Sequence, residues 1–413
     1  MLRHVTGRVF HTASAASRRQ NSVLASGRGS FGALGQGSYE DVPADKPVPV
    51  HFATRDGSSI TKISAGWGHS AVLSSDGDVF IHGQFLNFRD IAYSSMFSRV
   101  SNMLKKFKPK SKQLRVNTPF KLNGEAMGKC RDVAASAAMT AIIGEDGTLY
   151  AFGDNGHEQC GVGSSDSLVW PPEPVRNLVG APASAVALGL NHGVVLTEHG
   201  ECYSWGQNNL GQLGIGLAQV PKLNAAKLIP ASFFGSESVV KVSSGMLHSA
   251  ALTETGAVYV WGKHMSAEKD EMTSNYHHQF SPRKLNEIPG RAVDIASSQY
   301  STVVRTAEGK LFLLDRIPEH KRDRKGPKDY VNTAFFMRGR KSAIASLCSL
   351  DTVEGNIELM RDGFHAATLV TDTGSLFEVN ASLSPRKIEV DVGDGSSLVD
   401  AVIGWEHSLF LVR

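Results

Sequence analysis

Cysteine is scarce in this chain of 413 residues: the four present, at 130, 160, 202 and 348, form no Cys-x-x-Cys pair. That spacing excludes a zinc ribbon and a thioredoxin-type redox site, and so few thiols cannot build a disulfide framework. Long apolar runs are missing as well. None reaches the roughly 18 residues that span a bilayer, so no transmembrane segment is expected. No Gly-x-Ser-x-Gly or His-Glu-x-x-His sequence occurs, and Gly124 to Lys129 falls one residue short of a phosphate loop, with no Ser or Thr after the lysine. The chain is therefore expected to be no enzyme and to hold no cofactor or metal. With 41% hydrophobic and 20% charged residues it is neither a disordered polyelectrolyte nor a membrane bundle. Its 41 glycines, about a tenth of the chain, exceed the usual ~7% and outnumber its 16 prolines, which points to many tight turns and an all-β fold.

Acidic residues are absent before Glu40, whereas Arg3, Arg8, Arg18 and Arg19 fall within the first twenty positions among several Ser and Thr. Segment 1–20 lacks the apolar core of a secretory signal and has the composition of a mitochondrial targeting peptide; a disordered basic tail is the alternative. Without those four arginines the formal charge of +3 becomes −1.

One pattern recurs through the rest, residues 21–413: Gly-x-x-His-Ser-x-x-Leu-Thr-x-x-Gly-x-Val-Tyr-x-Trp-Gly. Its best copies run from Gly189 to Gly206 and from Gly245 to Gly262. The positions equivalent to the histidine are 69, 139, 192, 248, 301, 366 and 407. Three of the six steps are 53 to 56 residues, a spacing that suits propeller blades and is too long for leucine-rich or ankyrin units. The unit reads as four strands. Pro119 to Leu122, Pro282 to Leu285 and Pro385 to Ile388 are expected to open a unit, since Pro is tolerated at a first strand position. A piece such as Val239 to Val242 follows, then a pair such as His248 to Thr253 and Val258 to Trp261 around Gly256. Asp76-Gly77 and Asp146-Gly147 occupy the same turn, where Asp-Gly supplies the positive φ of a tight hairpin. A ring of seven blades must close to hide its sheet edges. The C-terminal unit is expected to supply three strands, at Pro385, Val399 to Ile403 and His407 to Val412, so Val23 to Ser26 is expected to be the fourth.

Trp205 to Gly214 reads Trp-Gly-Gln-Asn-Asn-Leu-Gly-Gln-Leu-Gly, and Ser26 to Gly35 repeats its glycine spacing. These residues resemble the regulator-of-chromosome-condensation (RCC) repeat family. The resemblance implies a seven-bladed β-propeller of four-stranded blades; the residues themselves predict its closure by the N-terminal strand and a helical basic insertion in the first blade.

His69, His192, His248 and His407 invite a metal-ring reading, but one equivalent position per blade spreads them too widely to share an ion; a repeated structural hydrogen bond is expected. Gly27-x-Gly29-x-x-Gly32 matches a dinucleotide fingerprint without its βαβ context and reads as blade closure.

Two departures from the repeat carry charge. In insertion 85–117, Tyr93, Met96, Phe97, Val100, Met103, Leu104 and Phe107 recur at spacings of three and four, which predicts an amphipathic helix over 91–107. It runs into Lys105, Lys106, Lys108, Lys110, Lys112 and Arg115. Insertion 316–341 includes Lys321, Arg322, Arg324 and Lys325 and has no comparable helical pattern. The two carry formal charges of +7 and +6. Such segments attract phosphate backbones or anionic membrane surfaces; a helix packed on its own propeller with solvated lysines, and for the second segment a solvated loop, are the alternatives.

Leader and propeller together resemble the mitochondrial RCC-like proteins. That resemblance implies a non-catalytic scaffold in the matrix or on the matrix face of the inner membrane. It would act in mitoribosome assembly by binding mitochondrial ribosomal RNA or mitoribosome assembly proteins. Two alternatives stand beside it: a guanine-nucleotide exchange factor for a mitochondrial GTPase, and a respiratory-complex assembly factor in peripheral contact with the inner membrane.

Overall fold

Small and β-branched residues dominate the recurring unit, and in the computed structural model they form seven four-stranded antiparallel sheets. Described are residues 21–84, 116–122, 127–137, 139–263, 279–286, 288–314, 346–379, 384–393 and 395–413. The leader, the helix expected over 91–107, Arg115 and the basic positions of 316–341 lie outside them.

Strands β1 (Ser22–Gly27) and β2 (Val48–Val50) come first. Blade 1 is β3 (Ile60–Ala65), β4 (His69–Ser74), β5 (Val79–Gly83) and β6 (Val116–Lys121). Blade 2 is β7 (Cys130–Ala135), β8 (Met139–Gly144), β9 (Leu149–Asp154) and β10 (Leu168–Pro174). Blade 3 is β11 (Ala183–Leu188), β12 (His192–Thr197), β13 (Cys202–Gln207) and β14 (Lys222–Leu228). Blade 4 is β15 (Val239–Ser244), β16 (His248–Thr253), β17 (Val258–Gly262) and β18 (Gln279–Lys284). Blade 5 is β19 (Ala292–Ser297), β20 (Thr302–Thr306), β21 (Leu311–Leu314) and β22 (Ser346–Leu347). Blade 6 is β23 (Ile357–Arg361), β24 (Ala367–Thr371), β25 (Leu376–Val379) and β26 (Arg386–Ile388). Blade 7 joins β27 (Leu398–Ile403) and β28 (His407–Val412) to β1 and β2, in the order β2-β1-β28-β27.

Every residue of β4, β8, β12 and β16 is buried. These second strands have a neighbouring sheet on both faces, so they need no polar face, and each buried Val, Leu or Ile contributes about 1.5–3 kcal/mol. The turn to the third strand uses glycine as expected, with one difference. Gly77 has φ +73° and its N–H bonds the Ser74 carbonyl, while Asp76 keeps a negative φ. The hairpin is thus a type I turn followed by a left-handed glycine rather than a two-residue turn.

The strand order corrects the phase expected for the repeat. The Pro-bearing segments at 119 and 282 lie in β6 and β18, and Pro385 immediately precedes β26; all three strands are the last of their blades rather than the first. The outermost strand is the other place where a missing N–H costs nothing, because that edge faces solvent. Blade 7 accordingly takes two strands from the C-terminal region, not three, and two from the N-terminal region. Val23 to Ser26 does lie along β28, with Val23 opposite Leu411 and Ser26 opposite Ser408, but as the third strand; Val48–Val50 is the fourth.

The first strands of six blades, and in blade 5 the turn that follows its first strand, line the axis. Connections from first to second strand and from third to fourth therefore share one face, here the loop face. Both basic insertions start and end there: the first leaves after β5 and returns at β6, the second leaves after β21 and returns at β22.

Candidate functional site

The repeated histidine joins blades. His69 Nε2 lies 2.9 Å from Thr140 Oγ1, His192 Nε2 2.9 Å from Ser249 Oγ, His248 Nε2 2.9 Å from Thr302 Oγ1, and His407 Nε2 2.9 Å from Ser70 Oγ. Each hydroxyl belongs to the second strand of the next blade, and His407 carries the series across the ring closure. The glycine three residues before the histidine makes room for its ring: a Cβ on Gly189 would sit 2.0 Å from His192 Cε1. Burial holds His69 and His82 down to about 3 and His192 and His407 to about 4, so these imidazoles are neutral at pH 7. Among the described residues no group of His, Cys, Asp and Glu is arranged to hold a metal ion.

The Trp-Gly-x-Asn run organises the loop face. Trp205 and Trp261 donate their indole N–H groups to the carbonyls of Gln159 and Gln212, in the third-to-fourth loop of the preceding blade, at 2.7 and 2.9 Å. Asn208 then ties its own loop, donating to the Leu217 and Val220 carbonyls and accepting from the Leu213 N–H. Gly27 ends β1 opposite His407, and Gly29 and Gly32 belong to the corresponding loop of blade 7, as blade closure predicted; the Ala33 carbonyl there accepts the Ser70 hydroxyl, as the Gln212 carbonyl accepts Ser249.

Around the axis the first-to-second turns bond to one another: the Leu190 N–H to the Met246 carbonyl, the Met246 N–H to Gln299, and the Trp405 N–H to Gly66. The residue after the repeat glycine or serine is Trp67, Ala137, Leu190, Met246, Gln299, Phe364 and Trp405 in chain order. Trp67, Phe364 and Trp405 pack together, with ring centroids 5.0 to 5.9 Å apart. They join Phe31, Ala137 and Leu190 in a separate apolar cluster on the loop face. Below it runs a channel of about 210 Å3 lined by all seven blades. Sequence reasoning missed this mouth, although six of the seven positions are apolar.

Of the residues singled out in the sequence, the blade histidines and Trp205 to Gly214 are framework. The basic positions from Lys105 to Arg115 and from Lys321 to Lys325, and the apolar face from Tyr93 to Phe107, are outside the described residues. Their flanking strands place both attachments on the loop face. Among the described residues no helix is long and apolar enough to cross a membrane.

The regulator of chromosome condensation (RCC1) repeat matches residues 20–73, 146–196 and 199–252, and a second form of it matches 183–212. The ultraviolet-B receptor UVR8 of Arabidopsis thaliana is 28% identical over 245 residues, 59% of this chain and 49% of the receptor, so the chain spans about half the length of that relative. Human WBSCR16 superposes with a TM-score of 0.69 at 17% identity, covering 96% of this chain and 99% of the other. Prp20p of Saccharomyces cerevisiae, studied for its binding to Gsp1p and histones, superposes with a TM-score of 0.66 at 18% identity, covering 96% and 92%. Identities at that level speak for the fold alone.

Proposed function

We propose, from the premise that the chain belongs to the RCC1 repeat family, that it is a non-catalytic mitochondrial scaffold. In this reading it uses the loop face to bind ribosomal RNA or mitoribosome assembly proteins. The observation that carries the reading is the common origin of the two basic segments: both leave and rejoin their sheets on one face, although their sequences lie far apart. Two basic segments attached on one face favour a phosphate backbone there through counterion release. The acid-free, Arg-bearing first twenty residues support delivery to mitochondria.

Exchanging Lys105, Lys106, Lys108 and Lys110 for glutamate is expected to shift the protein out of ribosomal fractions on a gradient. Undisturbed co-sedimentation would sink the reading. Purification from isolated mitochondria with and without ribonuclease separates its two forms, since RNA-held partners leave on digestion and protein-held partners stay.

Prp20p, with its binding to Gsp1p, favours a second reading as a guanine-nucleotide exchange factor for a mitochondrial GTPase. Exchange needs no covalent chemistry, so the framework character of the histidines does not weigh against it. Accelerated nucleotide release from a candidate GTPase by the purified chain would promote it.

A further inference from the structure

The charges beside the axial channel pair off, with one exception. Lys62 pairs with Asp132, Lys241 lies 2.5 Å from Asp294, and Arg361 lies 3.1 Å from Asp400. Asp362, the first residue after β23, makes no ion pair among the described residues. Its Oδ1 accepts the Ser243 hydroxyl at 2.7 Å and the Ser297 N–H at 2.8 Å, and no described residue bonds its Oδ2. The carboxylate opens into the channel, yet blades 4, 5 and 6 crowd it, and the lost hydration raises its pKa in spite of Lys241. In the same channel wall, Ser244 is 7% exposed and its buried Oγ has no hydrogen-bond partner. Phe364 and Met246 complete this side of the channel, and Trp67 and Trp405 stack behind Phe364.

A carboxylate exposed to the channel, with one oxygen unbonded by any described residue and no ion pair, is a site for a cation. An aromatic wall beside it suits a flat, weakly hydrated cation better than a compact ammonium. The volume of 210 Å3 is below the roughly 300–1,000 Å3 of drug-sized pockets, so it fits one side chain rather than a cofactor. We propose that the loop-face mouth of the axial channel receives a single arginine side chain of a protein partner. Its guanidinium donates to Asp362 Oδ2, and its stem lies against Phe364 and Met246. The basic segments play no part in this inference.

The test titrates acetyl-Gly-Arg-Gly-amide into the full-length protein and follows tryptophan fluorescence, beside the same peptide carrying citrulline, lysine or glutamate. Saturable binding is expected for arginine, weakened about tenfold or more with citrulline, which keeps the shape and removes the charge. Lysine should bind several-fold more weakly than arginine, and glutamate not at all. Asp362→Asn retains the Oδ1 acceptor and should cost at least tenfold in arginine affinity; Phe364→Leu should cost severalfold. Equal affinity for arginine and citrulline, undiminished binding by Asp362→Asn, or no saturable signal with arginine would overturn the proposal. If Asp362→Asn lowers the melting temperature, the arginine and citrulline titrations of the unsubstituted protein still decide.

Discussion

Mild acid is expected to unfold this propeller through its buried imidazoles. His69, His82, His192 and His407 are neutral in the folded state, with pKa values brought from 6.5 to about 3 or 4 by burial. The folded values lie below the unfolded one, so the unfolded chain binds protons first as pH falls. Their stabilising contribution is whole above pH ~6.5, declines through the window down to ~3, and is absent below it. At pH 5 each imidazole withholds about 2 kcal/mol from the folded state. His407 lowers His69, so the contributions are not independent, and the four together give roughly 6–8 kcal/mol, comparable with the whole stability of many proteins at ~5–15 kcal/mol. The assay is urea unfolding followed by circular dichroism at pH 7, 6 and 5. The midpoint should fall steeply below pH ~6, with a slope approaching 5 kcal/mol per pH unit where all four titrate only in the unfolded state. Exchanging His69 and His407 for glutamine should roughly halve that slope even if it lowers stability throughout. A stability that changes by less than about 1 kcal/mol between pH 7 and 5 would refute the reasoning.

Three further outcomes follow from the packing. Removing residues 1–20 should leave the melting temperature unchanged, whereas removing 1–27 deletes β1, exposes the edges of β28 and β2, and should abolish the cooperative transition seen by calorimetry. Gly189→Ala forces a Cβ to within 2.0 Å of the His192 ring and should cost about 3 kcal/mol or more in chemical denaturation; a cost under about 1 kcal/mol would show that the His192 ring is not fixed there. All four cysteines are buried, and burial pushes the Cys130 thiol up to about 11 and that of Cys202 to about 12. The native protein at pH 8 should leave a thiol reagent such as Ellman's unconsumed, and the denatured protein should release four equivalents.

The seven blades and the latch at Val23 to Ser26 were legible because their makers are chemically constrained at fixed spacing. A glycine must face the His192 ring, and a tryptophan such as Trp261 must reach the preceding loop. Phase was not legible. Pro119 and Pro282 are tolerated at either edge of a blade, and the sequence does not say which edge faces the axis. The axial mouth escaped for a different reason. Trp67, Phe364 and Trp405 lie in separate repeats, and only the curvature of the ring brings them within about 6 Å of each other. Asp362 was invisible for the same cause, since Ser243 and Ser297 reach it from blades 4 and 5.

Blade 7 is shared between Ser22–Val50 and Leu398–Val412, and Arg28 grips Glu406 across a sequence separation of 378 residues. A polypeptide emerging from its N-terminal side therefore cannot complete this blade until β27 and β28 have been made. Entropy does little to delay the seal afterwards, because the cost of bringing distant segments together grows only logarithmically with separation. The same proximity makes the wheel a candidate for being cut elsewhere: tethering Arg413 to Asn21 and opening the hairpin at Gly256 would move the seam to blade 4 while keeping every spoke.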